Sequence, residues 1–441
     1  MAFGNLWMAL RRLVRHEPEF KKRIKDKSEN KFIIYLAVGS THNISSGLDR
    51  VTALHWGELI DDHSLNVQGF IVNPNGPTQV EYLGDNAVLR TYSSTIAPFQ
   101  SPMKRMFFKI GFAFNFGGLL QGITLHSRAV WKDIRAIMTK RTPDMIVVDH
   151  IYSLSNVPLL WLMSFSGKIL FIAHDVTPTL VRELNVGRDN RRMRLGRMLD
   201  YWKAYVVEWL IMRKADRIVF LSDYDRALYP NAIDKSMALL PLARNSKASA
   251  VPNAGSEKSQ RVPFRSDIGA FVIFLGSPNF FPNAHAIEWI RHALSPALWN
   301  LNKEISIVLV GKGTQTIQGD SPNVIGAGYV DDTDLESMLQ RATALIAPVV
   351  HGSGLKIKIL DALTLGCPVI ATEESLRGFG YFAIEPKIKI ADPDQSAKAI
   401  DKLARDQINW KSSKENIMGK IASYEEYRQR RLSILIHELV A

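Results

Sequence analysis

The chain has 441 residues, 46% of them hydrophobic and 22% charged, with a formal net charge of +12. That composition is too apolar for a disordered chain and too polar for a multi-span membrane protein, and the length suits about two to three domains. The excess of positive charge points to anionic partners: nucleotides, nucleic acid or an anionic membrane surface.

The first fifteen residues place Phe3, Leu6, Trp7, Leu10, Leu13 and Val14 at helical spacing, with Arg11, Arg12 and Arg15 towards the other side. This predicts an amphipathic helix, either lying in a membrane interface or docked on the protein by the same stripe. Residues 16–30 are highly charged and read as a linker. No unbroken apolar core precedes a small-residue cleavage site, and no run of about 18 uncharged apolar residues occurs. The expected location is therefore cytoplasmic, free or peripheral on the inner face of the membrane.

Residues 31–38, KFIIYLAV, form the first buried strand. A glycine- and serine-bearing loop, Gly39 to Gly47, leads into a helix over Leu48–Leu59. Further strands are predicted at Val67–Val72, Met145–Val148, Ile169–Ala173 and Arg217–Leu221, with a long helix from about Arg191 to Lys214. Residues 244–266 are rich in Ser, Ala and Pro and read as an interdomain linker. The pattern then restarts: strands at Phe271–Leu275, Ile305–Val310, Val324–Ala327 and Ala344–Ala347, and helices at Asn283–Leu294, Thr333–Arg341, Ser396–Arg405 and Glu415–Leu439. Strands alternating with helices predict parallel sheets covered on both faces.

The domain plan is an amphipathic helix and linker (1–30), a first Rossmann-like domain (31–243), the linker (244–266), a second Rossmann-like domain (267–414) and a C-terminal helix (415–441) able to cross back onto the first domain. In open α/β sheets ligands bind beyond the carboxyl ends of the strands. Gly39–Gly47, His174-Asp175, Gly276, Gly311–Gly313 and His351–Gly354 all sit at such ends. Cys367, the single cysteine, lies in an apolar turn and reads as a small buried hydrophobe.

The richest segment is Ala347–Gly380. A short strand ends in His351-Gly352-Ser353-Gly354, and a helix opens with Lys356 and Lys358 in its early turns and closes at Leu365-Gly366. Glycines ahead of a helix let backbone N–H groups approach a ligand, and the helix N-terminus favours negative charge. The two lysines lie two residues apart and point about 200° apart, so they do not both face one phosphate. Lys312, between Gly311 and Gly313 at a strand end, is a further phosphate candidate. Ser45-Ser46-Gly47 opens the first helix, where Ser46 and Gly47 either meet phosphates, position an acceptor or simply cap the helix.

Four stretches, FLGSPNFFPNAHAIEWI (274–290), VLVGKG (308–313), VIGAGYVDD (324–332) and APVVHGSGLKIKILDALTLGCPVIAT (347–372), resemble in order and spacing the second domain of GT-B glycosyltransferases, most closely family 4. The first half resembles the acceptor domain through its glycine loop and FIAHD (171–175). The resemblance implies a retaining, metal-independent hexosyltransferase with no cofactor. Its donor would be a UDP- or GDP-sugar, and its acceptor a saccharide or lipid-linked saccharide of the bacterial polysaccharide or glycoconjugate kind. By the same resemblance Asp361, with the loop Gly352–Gly354, Gly311 and Lys312, holds the donor, Lys358 meets its diphosphate, and His174 touches the donor sugar near the reacting carbon. Lys356 is left as the solvated lysine of the pair. At the first of the family's two acidic positions this chain has Ser353, a hydroxyl without charge.

Asp331-Asp332-Thr333-Asp334 could suggest a metal, but acids in a first helical turn more simply cap Thr333–Arg341. Arg188, Arg191, Arg192, Arg194 and Arg197, and the basic-aromatic run Met103–Leu125, suit an anionic bilayer or a lipid-diphosphate acceptor as well as solvated helices. No nucleic-acid module is present. A nucleotide-sugar epimerase of the same fold and a non-catalytic, membrane-associated assembly protein stand as alternatives.

Overall fold

A computed structural model describes residues 30–41, 47–74, 76–94, 125–176, 191–241, 268–351, 354–380 and 392–441. The amphipathic segment, Ser46, residues 103–124 of the basic-aromatic run, Arg188, the segment 244–266, Gly352 and Ser353 lie outside these residues, as do the side chains of residues 191–200.

The first domain is built on an eight-stranded sheet. Its strands are β1 (Lys31–Val38), β2 (Leu65–Val72), β3 (Gln79–Leu83), β4 (Ala87–Tyr92), β5 (Met145–Asp149), β6 (Lys168–Ala173), β7 (Arg217–Phe220) and β8 (Ser236–Ala238). They run in the order β3-β4-β2-β1-β5-β6-β7-β8, all parallel except for the antiparallel β3/β4 pair. Helices α1 (Gly47–Ile60), α2 (Arg128–Met138), α3 (Leu159–Ser164), α4 (Arg191–Lys214) and α5 (Asp223–Ala227) connect them. The second domain has a five-stranded parallel sheet, order β11-β10-β9-β12-β13, from β9 (Phe271–Leu275), β10 (Ser306–Val310), β11 (Val324–Gly328), β12 (Ala344–Ala347) and β13 (Val369–Ala371). Its helices are α6 (Phe281–Trp289), α7 (Ser295–Leu301), α8 (Asp332–Arg341), α9 (Ile357–Thr364) and α10 (Pro393–Arg405), and α11 (Gln407–Val440) ends the chain.

The unbroken apolar run of β1 is buried on both faces, as a central parallel strand requires. Phe32, Ile34 and Leu36 pack towards α2 and α4, while Ile33, Tyr35 and Ala37 pack towards α1 and the last turns of α11. The β3/β4 hairpin and β8 are additions to the elements expected. The β3 strand QVEYL is an edge with alternating exposure, so it lacks the apolar run that marks its buried neighbours.

Two expected helices change. The helix expected at Asn283–Leu294 continues to Leu301 through a π turn at Ile290–Leu294. Pro296, which has no N–H to give to the ladder, falls just where the π turn passes into α7. The final helix starts at Gln407, not Glu415, capped by Asp406, whose carboxylate accepts from Asn409 N at 3.0 Å. A boundary at 414/415 therefore falls inside one 34-residue helix. That helix joins the domains. Ile417, Ile421 and Tyr424 pack on the second-domain core, and Leu432, Leu435, Ile436 and Leu439 on the first. Between these two contacts Arg428, only 2% exposed, forms an ion pair with Glu58 of α1.

Candidate active site

The second-domain half of the site begins where β9 ends. Gly276 has a φ of 157°, and a Cβ there would lie 2.6 Å from Cγ of Asn283. Asn283, in the first turn of α6, donates to Ser277 O at 3.2 Å and accepts from Lys358 Nζ at 2.7 Å. The Lys358 ammonium also lies 4.5 Å from the Phe274 ring centroid. Burial, with Lys356 nearby, pushes its pKa down to about 7. Thus the glycine at one strand end makes room for an amide that holds the lysine of another.

Asp361 follows Lys358 by three residues and so shares its side of α9. Its carboxylate accepts from Arg50 of α1 at 3.0 Å, and Arg50 also lies 3.8 Å from Asp332. Burial raises the Asp361 pKa to about 6, with Arg50 opposing and Asp332 adding to the rise. Arg50 is the first-domain residue that reaches this carboxylate.

Gly354 forms a second contact between domains. Its φ is +74°, and a Cβ would stand 1.8 Å from Oδ1 of Asp175 and 3.7 Å from the carbonyl oxygen of His174. Only a glycine lets the loop ahead of α9 press against the end of β6 in this way. Burial pushes the Asp175 carboxyl up, opposed by His174 and Lys356. Lys356 was expected to be the solvated lysine. It is instead half-buried just ahead of α9, donating to Gly354 O at 3.1 Å, and its charge acts on both Asp175 and Asp225. Its place beside Asp175 and Asp225 of the first domain takes it out of open solvent.

The first-domain half is a buried polar wall. Asp149, the last residue of β5, has no exposed surface. Its Oδ1 lies 2.5 Å from His174 Nε2, and its Oδ2 lies 3.1 Å from His55 Nδ1 and 2.5 Å from the Tyr35 hydroxyl. Burial alone would raise the Asp149 pKa, but His55 and His174 hold it far below the usual carboxylate range. Burial pushes His55 down and Tyr35 up. His150, with a φ of 70°, accepts from Tyr152 N at 3.1 Å and sets its ring edge-to-face against His174 at 4.9 Å between centroids. Its pKa is pushed down to about 3, by burial and then by His174.

Among the described residues, His55, Asp149 and His174 are the one set with metal-ligand chemistry, their donor atoms all within 4.8 Å. The hydrogen bonds just given already occupy both oxygens of Asp149. Asp331 does cap α8, its carboxylate accepting from Asp334 N at 2.8 Å.

Of the residues singled out by sequence, Gly354, Lys358 and Asp361 gather around the start of α9, and His174 stands at the strand end facing that loop. Lys312 keeps its backbone in the Gly276 cluster, accepting from Ser277 Oγ at 2.8 Å, while its side chain is exposed. Gly311 packs on Gly276, and Gly47 is the first residue of α1. Sequence reasoning missed Arg50, Asn283, Tyr35, His55, Asp149 and His150. Asp149-His150 carried the same signal as His174-Asp175, a polar pair directly after a buried strand. Nothing distinguished Tyr35 or His55 from core residues of their strand and helix.

Residues 270–406 match the glycosyl transferases group 1 family. No curated protein matches the chain in sequence. Among solved structures, an alpha,alpha-trehalose-phosphate synthase (UDP-forming) from Burkholderia xenovorans, in complex with glucose-6-phosphate, superposes with a TM-score of 0.58 at 11% identity, over 93% of this chain and 100% of that one. An E. coli structure described as trehalose-6-phosphate bound with UDP-2-fluoro glucose gives a TM-score of 0.56 at 9% identity, over 93% and 99%. The OtsA apo structure gives 0.58 at 10%, over 92% and 99%. At these identities the likeness to the structures is one of fold. Residues 270–406 thus carry the match to the glycosyl transferases group 1 family, and the chain as a whole shares the GT-B fold of these structures.

Proposed function

We propose that the chain transfers a hexose from a UDP- or GDP-sugar to a saccharide or lipid-linked saccharide acceptor, with retention of configuration and without a metal or other cofactor. The observation that carries this reading is the contact of Gly354 with Asp175. It sets the end of β6, with His174, against the glycine loop that heads α9, with Lys358 and Asp361 on that helix. A donor held between them would place its diphosphate at Lys358 and at the backbone of the Gly352–Gly354 loop, and its sugar beside His174. The departing nucleoside diphosphate gains negative charge as the bond to the sugar breaks. A cation waiting there stabilises the transition state more than the bound donor. Burial holds the Lys358 pKa down to about 7, and an arriving phosphate would favour its charged form.

Asp361 would accept the ribose hydroxyls, which requires its carboxylate to share or release Arg50. Ser46, Gly47 and the basic first-domain segments would face the acceptor, at the cytoplasmic surface of a membrane when that acceptor is lipid-linked.

The test is a thermal-shift screen with UDP, GDP, ADP and their sugars, followed by nucleotide release across an acceptor panel. UDP-glucose is the first donor to try, given the UDP-sugar bound in a similar fold. We expect one nucleotide series to raise the melting temperature and its sugar to turn over only with an acceptor. Absence of both binding and turnover across the screen would sink the proposal. Product formed from the donor alone would point to epimerisation.

A further inference from the structure

The buried wall behind His174 has a consequence for which face of that histidine meets substrate. Asp149 has no exposed surface and each of its oxygens receives a donor: Oδ1 from His174, Oδ2 from His55 and Tyr35. An ionised carboxylate can only accept hydrogen bonds. The ring nitrogens facing it, Nε2 of His174 and Nδ1 of His55, must therefore both carry protons. In a neutral imidazole the one N–H is then fixed on Nε2 and Nδ1 of His174 is an acceptor, whereas an imidazolium would donate from both nitrogens. Among the described residues, no hydrogen bond is made to that Nδ1.

The ring is also held from other sides. His150 packs edge-to-face on it at 4.9 Å, and His55 stands 6.0 Å away with its ring nearly perpendicular. The charged and titratable groups around it are thus Tyr35, His55, Asp149, His150 and Asp175, with Arg428 acting on His55 from α11.

We propose that Asp149, supported by His55, is a positioning pair that locks His174 as its Nε2–H tautomer and turns Nδ1 towards the donor as a hydrogen-bond acceptor. The ligand group this selects is a hydroxyl of the donor sugar, which can donate, and not a carboxylate or carbonyl oxygen, which cannot. This rests on the glycosyltransferase reading for its substrate but not for its tautomer.

The experiment has two arms on the full chain. Nitrogen-15 NMR of ring-labelled histidine, with His174 assigned through a His174→Gln variant, reads the tautomer directly whether or not any nucleotide sugar turns over. We expect a protonated Nε2 and an unprotonated Nδ1; a protonated Nδ1, with or without a proton on Nε2, overturns the proposal. Elemental analysis finding one divalent metal per chain, lost in His55→Leu, also overturns it, because the metal would replace the protons.

In the kinetic arm, UDP release from UDP-glucose is measured for Asp149→Asn, His55→Leu and His55→Gln. Removing a group that orients a reacting side chain lowers kcat by about 10–100-fold while KM stays within about twofold. We expect that split for Asp149→Asn, together with a changed His174 tautomer. His55→Gln, which keeps a donor for Asp149, should lose less than His55→Leu. If kcat falls while the tautomer is unchanged, or falls only in step with the folded fraction, Asp149 is structural and the proposal fails. Should Asp149→Asn not fold, the two His55 variants and the wild-type spectrum decide. Absence of turnover by the wild-type protein with every donor would count against the proposed function, leaving the spectrum to judge the positioning pair.

Discussion

The two walls of the cleft are built on opposite plans. On the first-domain side, His174 is held by groups from its own domain: Asp149, His55 and His150, all buried. On the second-domain side, Asp361 takes its counter-charge from Arg50 across the cleft, and Lys358 rests on the neutral amide of Asn283. In the first wall the charged Asp149 has its partners within its own domain. Among the described residues, the second holds a cation paired with no anion and an anion whose counter-charge comes from the other domain. A buried charge lacking its partner is where a ligand can contribute most, since that ligand supplies the missing charge.

Removing Lys358 gives the sharpest contrast between the walls. Losing one preorganised electrostatic group at a developing charge costs about 10²–10³ in kcat. We expect Lys358→Met to show that loss in nucleotide-sugar turnover while melting at a higher temperature than the wild type. The pH dependence follows from the shift. The pKa falls from 10.5 unfolded to about 7 folded. Between those values the unfolded chain binds a proton that the folded chain does not, so stability rises with pH through that window. The penalty is fully present below about pH 7, and the stabilisation by Lys358→Met should be greatest there. Equal melting temperatures at pH 6 and pH 10 for the two proteins would show that the lysine is not strained by burial.

Arg428 tests the helix α11 that packs on both domains. Its guanidinium is buried against Glu58, and burial lowers its pKa to about 9. Breaking a buried pair by removing one partner costs about 3–5 kcal/mol, whereas replacing both by apolar groups can be nearly neutral. Arg428→Met should therefore destabilise by about 3 kcal/mol in denaturant unfolding. Arg428→Met combined with Glu58→Leu should recover most of it. An additive double variant would mean that the two side chains do not interact.

Much of this was legible in the sequence because central parallel strands are buried on both faces. KFIIYLAV and FVIFL declare themselves as apolar runs, and the glycines after them mark the ligand edge. The edge hairpin β3/β4 hid because an edge strand carries polar residues. Lys358 and Asp361 were reached through the family resemblance of one contiguous segment, since a single loop and helix carry both. The first wall and the Arg50 contact were not found because they join residues far apart in the chain: Tyr35 to Asp149 spans 114 positions and Arg50 to Asp361 spans 311. Local periodicity marks Tyr35 and His55 as inward-facing and says nothing of what they meet.

Gly354 measures how closely the walls must meet. A methyl group there would sit 1.8 Å from Asp175 Oδ1 on a backbone with φ +74°. The left-handed conformation alone costs a non-glycine residue about 1–2 kcal/mol. We expect Gly354→Ala to leave both domain cores folded and to lower kcat/KM by about tenfold, the equivalent of about 1.4 kcal/mol. Combining it with Asp175→Ala should relieve the clash but not the strain, restoring part of the activity. A Gly354→Ala protein with full activity would show that the close approach is dispensable.

Asp331 offers the mildest change, one residue away from the second wall. Its carboxylate caps α8, while the adjacent Asp332 lies near Arg50. Replacing an N-cap aspartate by alanine costs about 1 kcal/mol, and asparagine caps nearly as well. Asp331→Ala should therefore lower the unfolding free energy by about that amount and Asp331→Asn by much less, with nucleotide affinity unchanged in both. If Asp331→Ala instead weakens nucleotide binding, the start of α8 acts on the ligand through Asp332 and Arg50. The cross-domain charge network would then extend from Asp361 to the whole helix terminus.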